Sequence, residues 1–297
     1  MSRYESIYPP KMKKGDCIGI AAPSSAFDPD DFDQGLALLR GMGFELFVPE
    51  GLYKKKAFLA GSDGHRVSVI NDLFENPRVK AILCARGGYG SMRILDHING
   101  DLVRENPKLF VGFSDATALL SHLYQAWGLV CYHGPVVCSL GRSDQQSLDA
   151  LEHVLLTGTP KNIEAPFGRV LIPGQARGIL MGGNLATLCH LTGTSYQPDL
   201  SGTILMLEDV GEAAYKIDRM LVQMKYAGLF DGLNGVVLGS FEKCGDPDHL
   251  ADIFLDVFGD LKIPLVMDFS FGHGASNCVF PIGVDARLHT DSLSVVF

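Results

Sequence analysis

The chain has 297 residues, 46% of them hydrophobic and 20% charged, enough to bury roughly three quarters of its unfolded surface, which excludes disorder or a coiled coil as a reading of the whole. Lys and Arg number 25 against 34 Asp and Glu, for a net charge of -9, and no basic run exceeds Lys54-Lys55-Lys56, so the electrostatic footprint of a nucleic-acid partner is missing. No apolar stretch approaches the roughly 18 residues of a membrane helix, and the opening MSRYESIYPPKMKKGD has no apolar signal core, so a soluble, cytoplasmic protein with no membrane partner is expected.

Short apolar runs alternate with amphipathic ones from the start: CIGIAAP, DPDDFDQGLALLRGMG, FELFVP, HRVSVINDLFEN and VKAILCA. That alternation predicts a parallel sheet covered by helices. The first helix is punctuated by Asp28 as N-cap and Pro29 at the first helical position, with Leu36, Leu38, Leu39 and Met42 forming its apolar face. The pattern continues with SMRILDHI as a short helix, KLFVGF as a strand, DATALLSHLYQAW as a helix, LVCYH as a strand and QQSLDALEHVLLTG as a helix. Strands that are apolar throughout imply burial on both faces.

From Thr157 to Gln175 three prolines appear and no period is sustained. The domain boundary is placed here, giving a nucleophile-bearing domain over 1–160, a linker over 161–175 and a second domain over 176–297. The second domain reads as strands ARGILMG, GTILMLEDV, GVVLGSF, PLVMDFSF, CVFPIGVDARLHT and SLSVVF, with helices NLATLCHLTG, AAYKIDRMLVQMKYAG and HLADIFLDVF. Strands that close the chain without intervening helices predict a mixed α/β domain with antiparallel pairing at its C-terminal end. The seven cysteines are scattered, odd in number and without a CxxC pair, which predicts buried reduced thiols and no metal site.

The sharpest local signal is Gly112-Phe113-Ser114-Asp115-Ala116, where a strand turns straight into a helix. Small residues flanking a serine at such an elbow expose its hydroxyl, and the Asp115 amide can donate to an oxyanion. Serine is also a favoured helix N-cap, so capping is the competing reading of Ser114. The loop Arg86-Gly87-Gly88-Tyr89-Gly90 follows the preceding strand. It matches neither a dinucleotide fingerprint nor a P-loop, so no cofactor is expected. Loop and elbow occupy strand carboxyl ends, the ligand edge of an open sheet, where Gly88 N–H could join Asp115 N–H.

A serine nucleophile needs a base, and among nine histidines His133 in CYHGP and His273 in FSFGHGASN end apolar strands and precede glycine. The two glycines around His273 favour it. His65, His97, His153 and His249 read as solvated, and His122 lies about 12 Å along the helix from Ser114. For the acid, GTILMLEDVGE offers Glu208 and Asp209, of which strand alternation allows only one to face the histidine; Asp268 and Asp285 are rivals.

The motifs ARGGYGSMRIL, VGFSDATALL, YHGP, LMGGNL, LEDVGEAAYKIDRML and FGHG stand in one order over essentially the whole chain. Together they resemble the LD-carboxypeptidases, serine peptidases that include the microcin C immunity peptidases. The resemblance implies a flavodoxin-like N-terminal domain, a smaller β-rich C-terminal domain, a homodimer and a murein tetrapeptide substrate that loses its terminal D-alanine in peptidoglycan recycling. It further implies a triad of Ser114, Glu208 and His273, with oxyanion donors at Gly88 and Asp115. Arg86, with Tyr89 and His133, is expected to contact the substrate. Tyr215, Asp218 and Arg219 read as structural. A peptidase for microcin-like peptidyl-nucleotides is the alternative within the family; it should offer stacking aromatics, yet Trp127, the one tryptophan, reads as core packing. A non-catalytic peptide- or anion-binding module is the alternative outside it.

Overall fold

Five buried residues of β1 (Cys17–Ala21) open a computed structural model that describes residues 5–297. The predicted alternation follows as α1 (Pro29–Gly41), β2 (Glu45–Phe47), α2 (Asp63–Glu75), β3 (Val79–Cys84), α3 (Gly100–Glu105), β4 (Leu109–Gly112), α4 (Thr117–Trp127), β5 (Cys131–His133) and α5 (Gln145–Thr157). Asp28 caps α1 as expected, its carboxylate accepting from the Asp30 and Asp31 amides. SMRILDHI instead forms a 3₁₀ helix over Ser91–His97, and the short α3 after it was not anticipated.

Strands β1 to β5 are mutually parallel in the order β2-β1-β3-β4-β5. Their carboxyl ends lie on one edge, and β1, β3, β4 and β5 are buried on both faces except at Lys80. Both proposed loops leave from that edge, after β3 and after β4.

The segment expected as a linker carries structure. Within it β6 (Ile163–Glu164) and β7 (Arg169–Ile172) join a second sheet with β8 (Gln175–Asn184), β9 (Thr203–Val210), β10 (Gly235–Glu242), β11 (Leu265–Met267), β13 (Asp285–His289) and β14 (Ser294–Val296), in the order β6-β14-β13-β8-β9-β10-β11-β7. Helices α6 (Leu185–Leu191), α7 (Ala214–Tyr226) and α8 (Pro247–Phe258) complete this half. Strands β8 to β11 run parallel, whereas β6, β7, β13 and β14 pair antiparallel, the mixed sheet that the sequence predicts.

The run CVFPIGVDARLHT is not one strand. Its first part, β12 (Phe280–Ile282), crosses back and pairs antiparallel with β5, with Phe280 opposite His133, while β13 stays in the second sheet. Gly283, at φ 97, makes the break; a Cβ there would stand 2.2 Å from the Tyr124 ring. The buried apolar side chains of both halves form one continuous cluster. All seven cysteines are buried and unpaired, and among the described residues no helix is long and apolar enough to cross a membrane.

Candidate active site

Ser114 sits where β4 gives way to a 3₁₀ turn, Ser114–Ala116, that leads into α4. Its φ is 61°, a left-handed conformation that a serine adopts only when its surroundings impose it. Capping does not explain the residue: the turn begins without a side-chain cap bond, and the N-cap position of α4 is Ala116. The small flanking residues are required, since a Cβ on Gly112 would lie 2.9 Å from both Ala116 Cβ and Cys84 Sγ.

The glycine loop lies against this serine. A Cβ on Gly87 would stand 2.7 Å from Ser114 Cβ and 3.0 Å from its Oγ, and Gly88 is at φ 103, where a Cβ would strike Ser25 Oγ. The buried Asp115 carboxylate pins the loop, accepting from the amides of Gly90 (3.2 Å) and Ser91 (2.8 Å) and from Ser24 Oγ (2.5 Å). The fully buried Arg66 reinforces it, donating to the carbonyls of Pro23 and Gly90 and pairing with Asp63. In the sequence Asp115 has a role for its amide only and Arg66 has none; the sole signal is a cation in an otherwise apolar helical face, which alone reads as surface. Among the described residues the Gly88 amide has no hydrogen-bond acceptor, which leaves it for a ligand.

Alternation divides the adjacent carboxylates of β9. Glu208 is wholly buried, and its Oε2 lies 2.6 Å from His273 Nδ1. Asp209 faces the other way, accepting from Asn184 Nδ2 (3.1 Å), the Ala186 amide (2.9 Å) and its own chain at Val210 N (2.8 Å), which ties it to the start of α6. Burial pushes its carboxyl up to about 6. The rivals are engaged elsewhere, Asp268 with Arg169 and Asp285 with Arg177.

His273 is brought to Glu208 by Gly272, at φ 108, where any Cβ would be 2.8 Å from Glu208 Oε2. Burial disfavours its charged form, but the bond to Glu208 and the charges of Glu208 and Asp209 outweigh that and raise its pKa above 6.5. The loop is held from the first half of the chain. Asp144, the N-cap of α5, accepts from Ser276 Oγ and from Ser147, and Ser147 Oγ accepts from the Asn277 amide (2.7 Å). Asn277 Oδ1 in turn accepts from Gly272 N (3.0 Å). None of these clamping residues carried a sequence signal.

A cavity of about 570 Å³ collects these parts. Ser114, Gly87, Gly88, Phe113 and His273 line it, together with Arg86, Arg142, Asp28 and Asp31. Arg86 donates to Ala26 O (2.8 Å) and remains exposed; Arg142, missed in the sequence, is held by Asp31 (2.6 Å) and Cys138 O (3.1 Å). One expected substrate contact is corrected. His133 is completely buried, stacked on Phe280 at 4.4 Å and 13° and flanked by Phe113, and burial lowers its pKa to about 3, so it is a neutral core residue out of reach of a ligand. Tyr89 is half exposed and packs on Phe58 at 5.5 Å rather than lining the cavity. Tyr215, read as structural, is 60% exposed on α7 with Arg219 over its ring. Among the described residues no cluster of three or more His, Cys, Asp or Glu side chains could hold a metal ion.

The LD-carboxypeptidase N-terminal domain model matches residues 18–134 and the corresponding C-terminal domain model residues 177–288. A Bacillus subtilis protein named "Probable murein peptide carboxypeptidase" is 34% identical over 97% of this chain and 94% of its own length. The murein tetrapeptide carboxypeptidase of Pseudomonas aeruginosa is 32% identical, over 93% and 94%. Among solved structures, an MccF-like protein from Bacillus anthracis superposes with a TM-score of 0.91 at 29% identity, covering 98% of both chains. An α/β fold with a parallel first sheet, a serine at a strand-to-helix elbow and these matches across both halves lead to one conclusion: the chain belongs to the LD-carboxypeptidases, a family of serine peptidases.

Proposed function

We propose that this protein releases the terminal D-alanine of a murein tetrapeptide, cutting the L,D bond to diaminopimelate in the turnover of peptidoglycan. The observation that carries the reading is His273, bonded to Glu208 at 2.6 Å, lining one cavity together with a serine held at φ 61°. In this reading His273 Nε2 takes the Ser114 proton as Oγ bonds to the scissile carbonyl carbon. Glu208 keeps the proton on Nδ1 and balances the imidazolium. The amides of Gly88 and Asp115 receive the oxyanion, donors typically worth about 2.7–4 kcal/mol each. Collapse breaks the C–N bond and His273 protonates the departing D-alanine amine; water then repeats the sequence on the acyl-enzyme.

Arg86 and Arg142 suit a substrate rich in carboxylates, since guanidinium groups match carboxylate geometry. Phe113 is the one aromatic hydrocarbon ring among the described residues lining the cavity. That favours murein over peptidyl-nucleotides, whose base calls for a stacking pair. Homodimeric assembly and a cytoplasmic location belong to the same proposal. The test is incubation with L-Ala-γ-D-Glu-meso-diaminopimelate-D-Ala, following D-alanine by mass spectrometry for wild type and Ser114→Ala. Release by the wild type alone supports the reading. No release by folded wild type, with cleavage of a peptidyl-nucleotide instead, transfers the site to the microcin-type reaction.

A further inference from the structure

Three strands of the first sheet connect two openings. Their carboxyl ends feed the Ser114 cavity; at their amino ends, where Asp16 precedes β1, Val79 opens β3 and Lys108 precedes β4, lies a second groove of about 610 Å³. Strand β4, four residues and roughly 13 Å long, separates the two.

The second groove has an apolar floor and a cationic wall. Pro10, Met12, Pro77, Val79 and Pro107 line it, and so do Lys11, Lys13, Lys80 and Lys108. Among the described residues none of these four lysines has a carboxylate within 4.0 Å, although acids outnumber bases in the chain by 34 to 25. The one acid in the groove, Asp16, is bonded to the Lys13 amide at 2.9 Å rather than to an ammonium group. Lys108 is only 5% exposed, and its ammonium reaches a single neutral acceptor, Asn76 O. Lysine is seldom buried without a counter-charge. Burial, aided by Lys80, lowers its pKa to about 8. Lys80, bonded to Pro77 O at 2.8 Å, stands beside it.

A lone carboxylate would neutralise one ammonium of four. A phosphate monoester is the smallest common group that carries close to two negative charges at neutral pH with three acceptor oxygens, and lysine is an established point-charge partner for it. We propose that this groove is a second ligand site, for a small organic phosphate whose apolar part lies on Pro77, Pro107 and Met12 and whose phosphate is held by Lys108 and Lys80. The site is independent of the proposed reaction at Ser114.

Calorimetric titration with phenyl phosphate at low salt tests this, with phenol and inorganic phosphate as the separate halves of the probe. One equivalent of phenyl phosphate should bind per chain, more tightly than either half. Lys80→Ala, at an exposed position that leaves the core intact, should weaken it at least tenfold, and Lys108→Met should abolish it. Ser114→Ala should leave it unchanged. No binding to the wild type, or an affinity indifferent to Lys80→Ala, overturns the proposal. Arg142→Ala, which removes a cation from the Ser114 cavity, should likewise leave the affinity unchanged; a loss in either variant places the phosphate in that cavity and overturns the proposal.

Discussion

His273 Nδ1 and Glu208 Oε2 stand 2.6 Å apart although 65 residues separate them, and the carboxylate is sealed from solvent while the imidazole opens on the cavity. The carboxylate therefore acts on solvent-facing chemistry only through the ring. A general base works as neutral imidazole, so kcat/KM should rise with pH along a limb whose midpoint lies above 6.5, in the direction of the raised His273 pKa. In Glu208→Gln the two largest raising influences vanish while burial stays, so the midpoint should drop. The rate should fall on the order of 10³–10⁴-fold. A pH–rate profile of both proteins checks this; an unmoved limb would mean that His273 is not the titrating base.

Ser114 is held in a conformation that glycine would adopt without strain. Ser114→Gly should be inactive yet more stable than wild type by about 1 kcal/mol, whereas Ser114→Ala should be inactive with little change in stability. Urea denaturation of the three proteins compares them directly.

Gly87 tests the packing of the loop on the elbow. At this position the obstacle is contact alone, 2.7 Å from Ser114 Cβ. Gly87→Ala should displace the serine and lower kcat by about 10²-fold, the scale for an ångström of misplacement. Circular dichroism should show the fold retained.

The clamp on the base predicts a split in kinetic constants. Ser276→Ala removes the bond to Asp144 without touching the cap of α5. It should lower kcat by between about tenfold and a hundredfold with KM nearly unchanged, and Ser276→Thr should recover most of the loss. Steady-state kinetics on the tetrapeptide would reveal it; an equal fall in stability and none in kcat would reduce the clamp to packing.

Asp209 should leave its mark on stability. Its folded pKa of about 6 lies above the ordinary aspartate value of 3.8, so the fold holds this proton more tightly than the unfolded chain does. Its contribution is therefore lost as pH rises from 3.8 to about 6, by about 3 kcal/mol. The stability of wild type relative to Asp209→Asn should decline across that window and level off above it, as read by chemical denaturation at about pH 4, 5, 6 and 7.

The first sheet was legible because both of its signals are local. Asp28 and Pro29 announce α1 within two residues, and KLFVGF announces β4 by composition. The elbow was legible for the same reason, since Gly112 and Ala116 are small where contact demands it. What escaped was pairing. Nothing in CVFPIGVDARLHT says that Phe280 faces His133 while Arg287 faces Arg177 in another sheet. Short strands such as Ile163–Glu164 hold no period of their own, and prolines and glycines around Arg169–Ile172 masked the rest. His133 misled because a strand-ending histidine before glycine looks alike whether it faces a cavity or Phe280. Strand alternation left Glu208 and Asp209 open; the resemblance pointed to Glu208, and it is Glu208 that bonds His273 in space.

The borrowed strand also has a consequence in time. Phe280–Ile282 completes the edge of a sheet whose other members end at His133, and that strand is translated roughly 150 residues later. At typical synthesis rates the edge of Cys131–His133 waits about 7–30 s for its neighbour, unpaired and open to other strands. During that interval Ser114 already exists on the nascent chain while His273, the base proposed for it, lies in the same late segment and does not. A chain stopped short of His273 thus carries the serine elbow without the histidine proposed as its base, and its open Cys131–His133 edge makes it an aggregation hazard.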